Sequence, residues 1–267
     1  MDTTPTREQL SFPRVPPTDA VLGVPLALID YAGALDWIDA TIAAHGRGYI
    51  CVAATHTVVA CGEDPELRAA VLGSSFTVPD GQPLVWALRA LGNEIDDRVY
   101  GPTLMERACA RAARTGARFF LYGGRDDAAL ERLERRLLER HPGLQIAGRL
   151  PHPFRELTAD EQREIAVQID ASRADVVWVG IGVPRQEKWM AQMRGQLDAP
   201  VLIGVGAAFD FLSGVVAQAP PRLQRLGLEW AFRLSREPRR LWRRYLHNNP
   251  RFVIGFARQY ARHRRGR

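Results

Sequence analysis

The chain has 267 residues, 46% apolar and 25% charged, an ordinary globular composition long enough for a core that needs no disulfide or structural metal. Its three cysteines, Cys51, Cys61 and Cys109, are odd in number and match no metal-ligand spacing, which speaks against a disulfide framework and fits a reducing compartment. The longest apolar runs, such as residues 201–209, are about half of what a membrane span needs, and the N-terminus carries Asp2 and Glu8 without an apolar stretch, so neither a spanning helix nor a secretion signal is expected.

Residues 1–19 hold four prolines and no apolar periodicity and read as a flexible arm. A strand is expected at 21–29, a helix at 31–45, a strand at 49–54 and a helix at 65–72. A short strand at 76–78 leads to helices at 83–91 and 103–114. Strand 118–122, helix 126–140, strand 144–147 and helix 159–171, capped by Thr158, come next, then strand 175–180, helix 185–196 and strand 201–205. Strands such as Val176-Val177-Trp178-Val179 are apolar without alternation, the mark of parallel strands covered on both faces. The β-α rhythm therefore predicts an α/β fold, a doubly wound, mainly parallel, Rossmann-like sheet spanning residues 20–221.

Beyond Pro220 the pattern changes. One helix is expected at 222–235, a second from Pro238 towards His247, and a third apolar-basic segment from Phe252, together a helical appendage at 222–267. The appendage holds 14 arginines against Glu229 and Glu237, a charge of +12, whereas the preceding chain is −6. A basic tail on an acidic body implies an anionic partner: nucleic acid, lipid headgroups or a phosphorylated substrate. Arg240 and Arg243, three apart, share a helix face. Trp230, Phe232, Trp242, Tyr245, Phe252, Phe256 and Tyr260 interleave with the arginines, which suits a helix at an anionic membrane surface or packing against the body.

Open parallel sheets bind ligands at the carboxyl ends of their strands. At those ends stand Asp80, in Pro79-Asp80-Gly81, where a carboxylate could act as general base, and three glycine turns: Gly123-Gly124, Gly180-Ile181-Gly182 and Gly204-Val205-Gly206. Glycines before a helix let backbone amides approach a phosphate, so the three turns point to a diphosphate or nucleotide ligand. No G-x-G-x-x-G or P-loop pattern occurs, which counts against a nucleotide-binding oxidoreductase and a P-loop ATPase. The six histidines are scattered and no Asp-x-Asp occurs, so no metal site is expected and arginine is left to neutralise a leaving diphosphate.

These segments together resemble the WecG/TagA/CpsF family of bacterial glycosyltransferases. The resemblance rests on Val78-Pro79-Asp80-Gly81-Gln82-Pro83, Arg98-Val99-Tyr100-Gly101-Pro102, Gly182-Val183-Pro184-Arg185-Gln186-Glu187, Gly204-Val205-Gly206-Ala207-Ala208-Phe209-Asp210, Gly227-Leu228-Glu229-Trp230 and Glu237-Pro238-Arg239-Arg240-Leu241. It implies an inverting transfer, independent of metal and of any cofactor, of an N-acetylmannosamine-type sugar, its uronate or a hexose or hexuronate. The donor is a UDP-sugar and the acceptor a polyprenyl-diphosphate-linked sugar, in cell-surface polysaccharide synthesis. It makes Asp80 the base, assigns Arg98 and Gln186 to substrate, and Arg233, Arg240 and Arg243 to the donor diphosphate. It places the protein in the cytoplasm, peripheral at the inner face of the membrane, with an anionic lipid surface as partner, a homo-oligomer left open and no nucleic acid. Arg251, Arg258, Arg262, Arg264 and Arg265 are then expected to face lipid.

Three positions depart from the family. Its Thr-x-Asn falls on Val52-Ala53-Ala54, followed at once by Thr55 and His56, which become the candidates for substrate binding there. Its Arg-Ala-Pro reads Gln218-Ala219-Pro220, and the aspartate after Gly101-Pro102 is Thr103. A nucleic-acid-binding module acting through the tail remains the reading of a different class.

Overall fold

The computed structural model describes residues 14–153 and 155–266. The body opens with a hairpin, β1 (Thr18–Val21) and β2 (Val24–Ala27), paired antiparallel. The single strand expected at 21–29 is thereby corrected. Leu22 and Gly23 adopt φ of 52° and 79°, the two left-handed positions that a tight hairpin turn demands. Much of the arm assigned to residues 1–19 lies outside the described residues, and Thr18 already begins β1.

From there the chain alternates. α1 (Tyr31–Ala43) is capped by the Asp30 carboxylate, and β3 (Gly48–Ala53), α2 (Thr55–Ala60), α3 (Pro65–Leu72) and β4 (Phe76–Pro79) follow. Next come α4 (Gln82–Ala90), α5 (Gly101–Thr115), β5 (Arg118–Gly123), α6 (Asp127–Arg140) and β6 (Gln145–Leu150). α7 (Ala159–Ser172) begins in a full capping box from Thr158 and Glu161, and β7 (Val176–Gly180), α8 (Arg185–Met193) and β8 (Val201–Gly204) complete the rhythm. Two helices were not expected: α2, and α9 (Ala208–Leu212), each only five or six residues long and too short to show a period.

β3 to β8 form one parallel sheet in the order β4-β3-β8-β7-β5-β6. Successive residues of each inner strand face opposite sides. Val177 and Val179 join the core under α2, α3, α4 and α8, whereas Val176 and Trp178 join the core under α1, α5, α6 and α9. Two covered faces explain why these strands read as unbroken apolar runs. Close packing at the carboxyl edge requires glycine: a Cβ on Gly180 would lie 2.5 Å from the Phe209 ring.

The appendage differs from the expected three helices. The segment 222–235 divides into α10 (Pro221–Arg225) and α11 (Glu229–Arg236) at Gly227, whose φ of 68° no helix interior accepts and whose missing side chain makes room for Trp86. Conversely, the break expected before Phe252 is absent. α12 (Pro238–Arg265) runs 28 residues straight through Pro250. An internal proline removes one backbone bond and costs about 3 kcal/mol. Docking offsets it: α12 packs along α2, Leu241 and Phe252 are buried, and Gln259 exchanges bonds with Leu22 N–H (2.8 Å) and Ala20 C=O (2.6 Å) of the hairpin.

Candidate active site

The carboxyl ends of β3, β4, β7 and β8 open into one cavity of about 1090 Å³, closed over by α11 and α12. Asp80 follows the last residue of β4. Its N–H donates to Ala53 C=O at the end of β3 (2.8 Å), and its Oδ1 accepts from Gly101 N–H at the start of α5 (2.8 Å). Two chain segments thus fix the carboxyl against the cavity. Burial pushes it up to about 6; Arg98 opposes that rise, and the Glu229 carboxylate adds to it. A base so tuned is ionised at neutral pH yet strong enough to take a hydroxyl proton as attack proceeds.

Arg98, 7% exposed, already has its fork occupied. Nη1 donates to the Asp80 C=O (3.2 Å) and to Glu229 Oε2 (2.9 Å), and Nη2 to Gln224 Oε1 (2.7 Å). Its guanidinium lies 4.1 Å from the Tyr100 ring centre, and Tyr100 O–H donates to the other Glu229 oxygen (3.0 Å). Arg98 borders the cavity, but its hydrogen bonds tie α10 and α11 to the loop that carries Asp80.

A cationic wall faces Asp80. Arg233 of α11 and Arg240 and Arg244 of α12 line the cavity. Arg233 forms no ion pair among the described residues; its guanidinium stands 5.3 Å from the centre of the Phe211 ring. Arg240 pairs with Glu237 (2.9 Å), which also holds Arg125 (3.2 Å) beside Asp210. Arg244 Nη2 sits 2.7 Å from His56 Nε2. Burial, then Arg244 and Arg233, hold the His56 imidazole well below its usual value, so it is neutral and serves as a hydrogen-bonding partner. Burial, with Arg233 and Arg240 adding to it, lowers Arg244 to about 10. The Nε atoms of both Arg233 and Arg244 are buried without a protein partner. Guanidinium groups without a carboxylate partner and with N–H donors still unsatisfied beside a cavity constitute a site for an anion with several oxygens.

Gln186 and Glu187 open α8 from inside the fold, 1% and 0% exposed. Gln186 Nε2 donates to Glu187 Oε1 (2.8 Å), and its own Oε1 remains unpaired at the cavity wall. Burial pushes Glu187 up to about 7. Gly182 lines the cavity with φ of 80° and open space where a side chain would stand. Thr55 and Gly124 line it too. Gly123 does not: a Cβ there would meet the Gly180 backbone at 2.7 Å, so its role is close strand packing.

Among the candidates named from sequence, Arg243 also lies outside the cavity, exposed, with its guanidinium 5.2 Å from the Trp242 ring centre. Arg244 stands where Arg243 was expected. The inward stripe of α12 runs through Leu241, Arg244 and Asn248 to the buried Phe252, and that spacing was available in the sequence. Glu229 and Tyr100 were not singled out, since nothing local marks a carboxylate and a phenol that meet across the fold. Arg251, Arg258, Arg262, Arg264 and Arg265 are all exposed. Among the described residues no group of three or more His, Cys, Asp or Glu side chains is placed to hold a metal ion, and no helix is long and apolar enough to cross a membrane.

A carboxyl poised near neutrality opposite unpaired guanidinium groups, at the carboxyl edge of a doubly wound sheet, is equipped for group transfer with an anionic leaving group. The Glycosyl transferase WecG/TagA/CpsF family model matches residues 20–266, and the chain belongs to that family of glycosyltransferases. It is 33% identical over 191 residues, 72% of this chain and 71% of the relative, to an N-acetylglucosaminyldiphosphoundecaprenol N-acetyl-beta-D-mannosaminyltransferase of Bacillus spizizenii. It is 32% identical over 173 residues, 65% of each chain, to a protein of the same name from Bacillus subtilis.

Proposed function

We propose that this chain moves a sugar from a UDP-sugar, of the N-acetylmannosamine type, to a polyprenyl-diphosphate-linked sugar, with inversion and without a metal. The acceptor reading follows the activity for which the Bacillus relatives are named. The observation that carries the chemistry is that Asp80 shares one cavity with Arg233 and Arg244, whose buried Nε groups have no protein partner. An acceptor hydroxyl attacks the anomeric carbon on the face opposite the diphosphate. Its proton passes to Asp80 as the new carbon–oxygen bond forms, and the bond to the diphosphate breaks with its electron pair leaving on UDP. Arg233, Arg240 and Arg244 balance the charge that develops on that leaving group, the task a metal performs elsewhere. Gln186, Thr55 and neutral His56 supply hydrogen-bonding groups to the donor. Several of these contacts come from the appendage, which in this reading also holds the enzyme at the inner surface of the cell membrane through its exposed arginines.

The test is a screen of nucleotide sugars for protection against thermal unfolding, followed by transfer assays in excess EDTA with the donors that protect. A UDP-sugar that raises the melting temperature and is then consumed without added metal is the expected result. Protection only by dinucleotides, or transfer that stops in EDTA and returns with magnesium, contradicts the proposal.

A further inference from the structure

The cavity does not end at the arginines. Further along it is walled by Trp86, Ala87 and Ala90 of α4 and by Phe252, Phe256 and Tyr260 of α12. The three rings stand at i, i+4 and i+8, with centres 6.2 Å apart at each step and planes 7° and 28° apart. Val253 and Trp86, 64% and 47% exposed, also line it, and no described segment covers them. α12 therefore shows the cavity cations first, at Arg240 and Arg244, then apolar side chains as far as Tyr260, over roughly 30 Å of helix. With those arginines given to the donor diphosphate, the apolar length of α12 that continues the same cavity is left for the other substrate, and it suits a hydrocarbon chain.

We propose that this apolar arm holds the isoprenoid chain of the acceptor, adjoining its diphosphate, between the aromatic row of α12 and Trp86 of α4. The proposal rests on the lipid-linked acceptor put forward above. It is distinct from attachment to a membrane, because the residues concerned line the cavity, whereas Arg258, Arg262 and Arg265 are exposed away from it. The occupant is the acceptor's hydrocarbon chain, since the arm opens from the same cavity in which the acceptor hydroxyl meets Asp80.

The experiment compares two soluble acceptors, N-acetylglucosamine diphosphate carrying a methyl group or a farnesyl chain, so that no membrane is involved. The wild-type KM is expected to be roughly ten- to a hundredfold lower for the farnesyl acceptor, the gain from taking a short hydrocarbon chain out of water. Val253→Asn and Trp86→Gln, checked for an unchanged melting temperature, are expected to remove most of that ratio while kcat, and KM for the methyl acceptor, stay as in the wild type. Binding gives a second readout independent of turnover: farnesyl diphosphate should protect the full-length protein against thermal unfolding more than inorganic diphosphate does, and the variants should erase the difference. Equal KM values for the two acceptors in the wild type, or an unchanged ratio in both variants, overturn the proposal. So does a tighter KM for the farnesyl acceptor on removing residues 1–13, which would place that segment in the arm. Absence of transfer to either acceptor, with farnesyl diphosphate still protecting better than inorganic diphosphate, would instead count against the transferase reading.

Discussion

At the scale of single residues, environment decides which acid can act. Asp80 and Glu187 are both raised by burial, to about 6 and about 7, but only Asp80 borders the cavity. Activity is expected to rise with pH through about 6, as Asp80 loses its proton. Arg98, Arg233, Arg244 and Glu229 are charged groups that act on it, and the Glu229 carboxylate raises it. Glu229→Gln should therefore move the acid limb of the kcat/KM profile to lower pH; a limb that stays put would show that Glu229 does not sense Asp80. Glu187 gives a stability prediction of defined sign. Its pKa is higher folded than unfolded, so the native state binds more protons and stability falls as pH rises from the ordinary carboxylate range to about 7. Glu187→Gln keeps an acceptor for Gln186 and should flatten that decline; denaturant midpoints across the range decide it.

Asp80 stands out in the sequence only through its strand-end position combined with the family resemblance, since Pro79-Asp80-Gly81 by itself reads as an ordinary turn. The Arg98–Glu229–Tyr100 cluster does not, since its members are 131 and 129 residues apart in the chain and meet only when the appendage docks. The sequence points to Arg98 as a contact for substrate; in the structure its three side-chain hydrogen bonds link that docking to the loop of Asp80.

At the scale of elements, the parallel strands announced themselves, because strands covered on two faces must be apolar at every position. What local signals could not decide was whether tertiary contacts would override them. Gly227 broke a helix that periodicity favoured, by taking a left-handed φ next to Trp86. Pro250 failed to break one, because α2 and the hairpin hold α12 on either side of it. Two opposite results follow. Gly227→Ala should destabilise by at least about 1 kcal/mol, since alanine disfavours that conformation and its Cβ would lie 2.7 Å from the Trp86 ring. Pro250→Ala should stabilise, by up to about 3 kcal/mol, by restoring a backbone bond in a helix that already continues through this position. Urea unfolding of the two variants measures both; a destabilised Pro250→Ala would mean that the ring is required by its neighbours.

At the scale of the whole molecule, the charge division between an acidic body and a basic appendage reads directly from the sequence, whereas which arginines line the cavity and which are exposed is seen only in the structure. Arg233, Arg240 and Arg244 face the cavity, and Arg258, Arg262 and Arg265 face solvent. Reversing those three exposed charges should weaken sedimentation with anionic vesicles, by on the order of 1 kcal/mol for each residue at low salt, and leave transfer to a soluble acceptor unchanged. Unaltered vesicle binding would remove the electrostatic account of attachment. The most direct test of the central claim is transfer from UDP-N-acetylmannosamine to farnesyl-diphosphate-linked N-acetylglucosamine in excess EDTA, with wild type and Asp80→Asn side by side and UDP binding measured for both. The account predicts product from the wild type, a rate lower by roughly two to four orders of magnitude in Asp80→Asn, and equal UDP affinity; near-normal turnover by Asp80→Asn, or no product from the wild type, would contradict it.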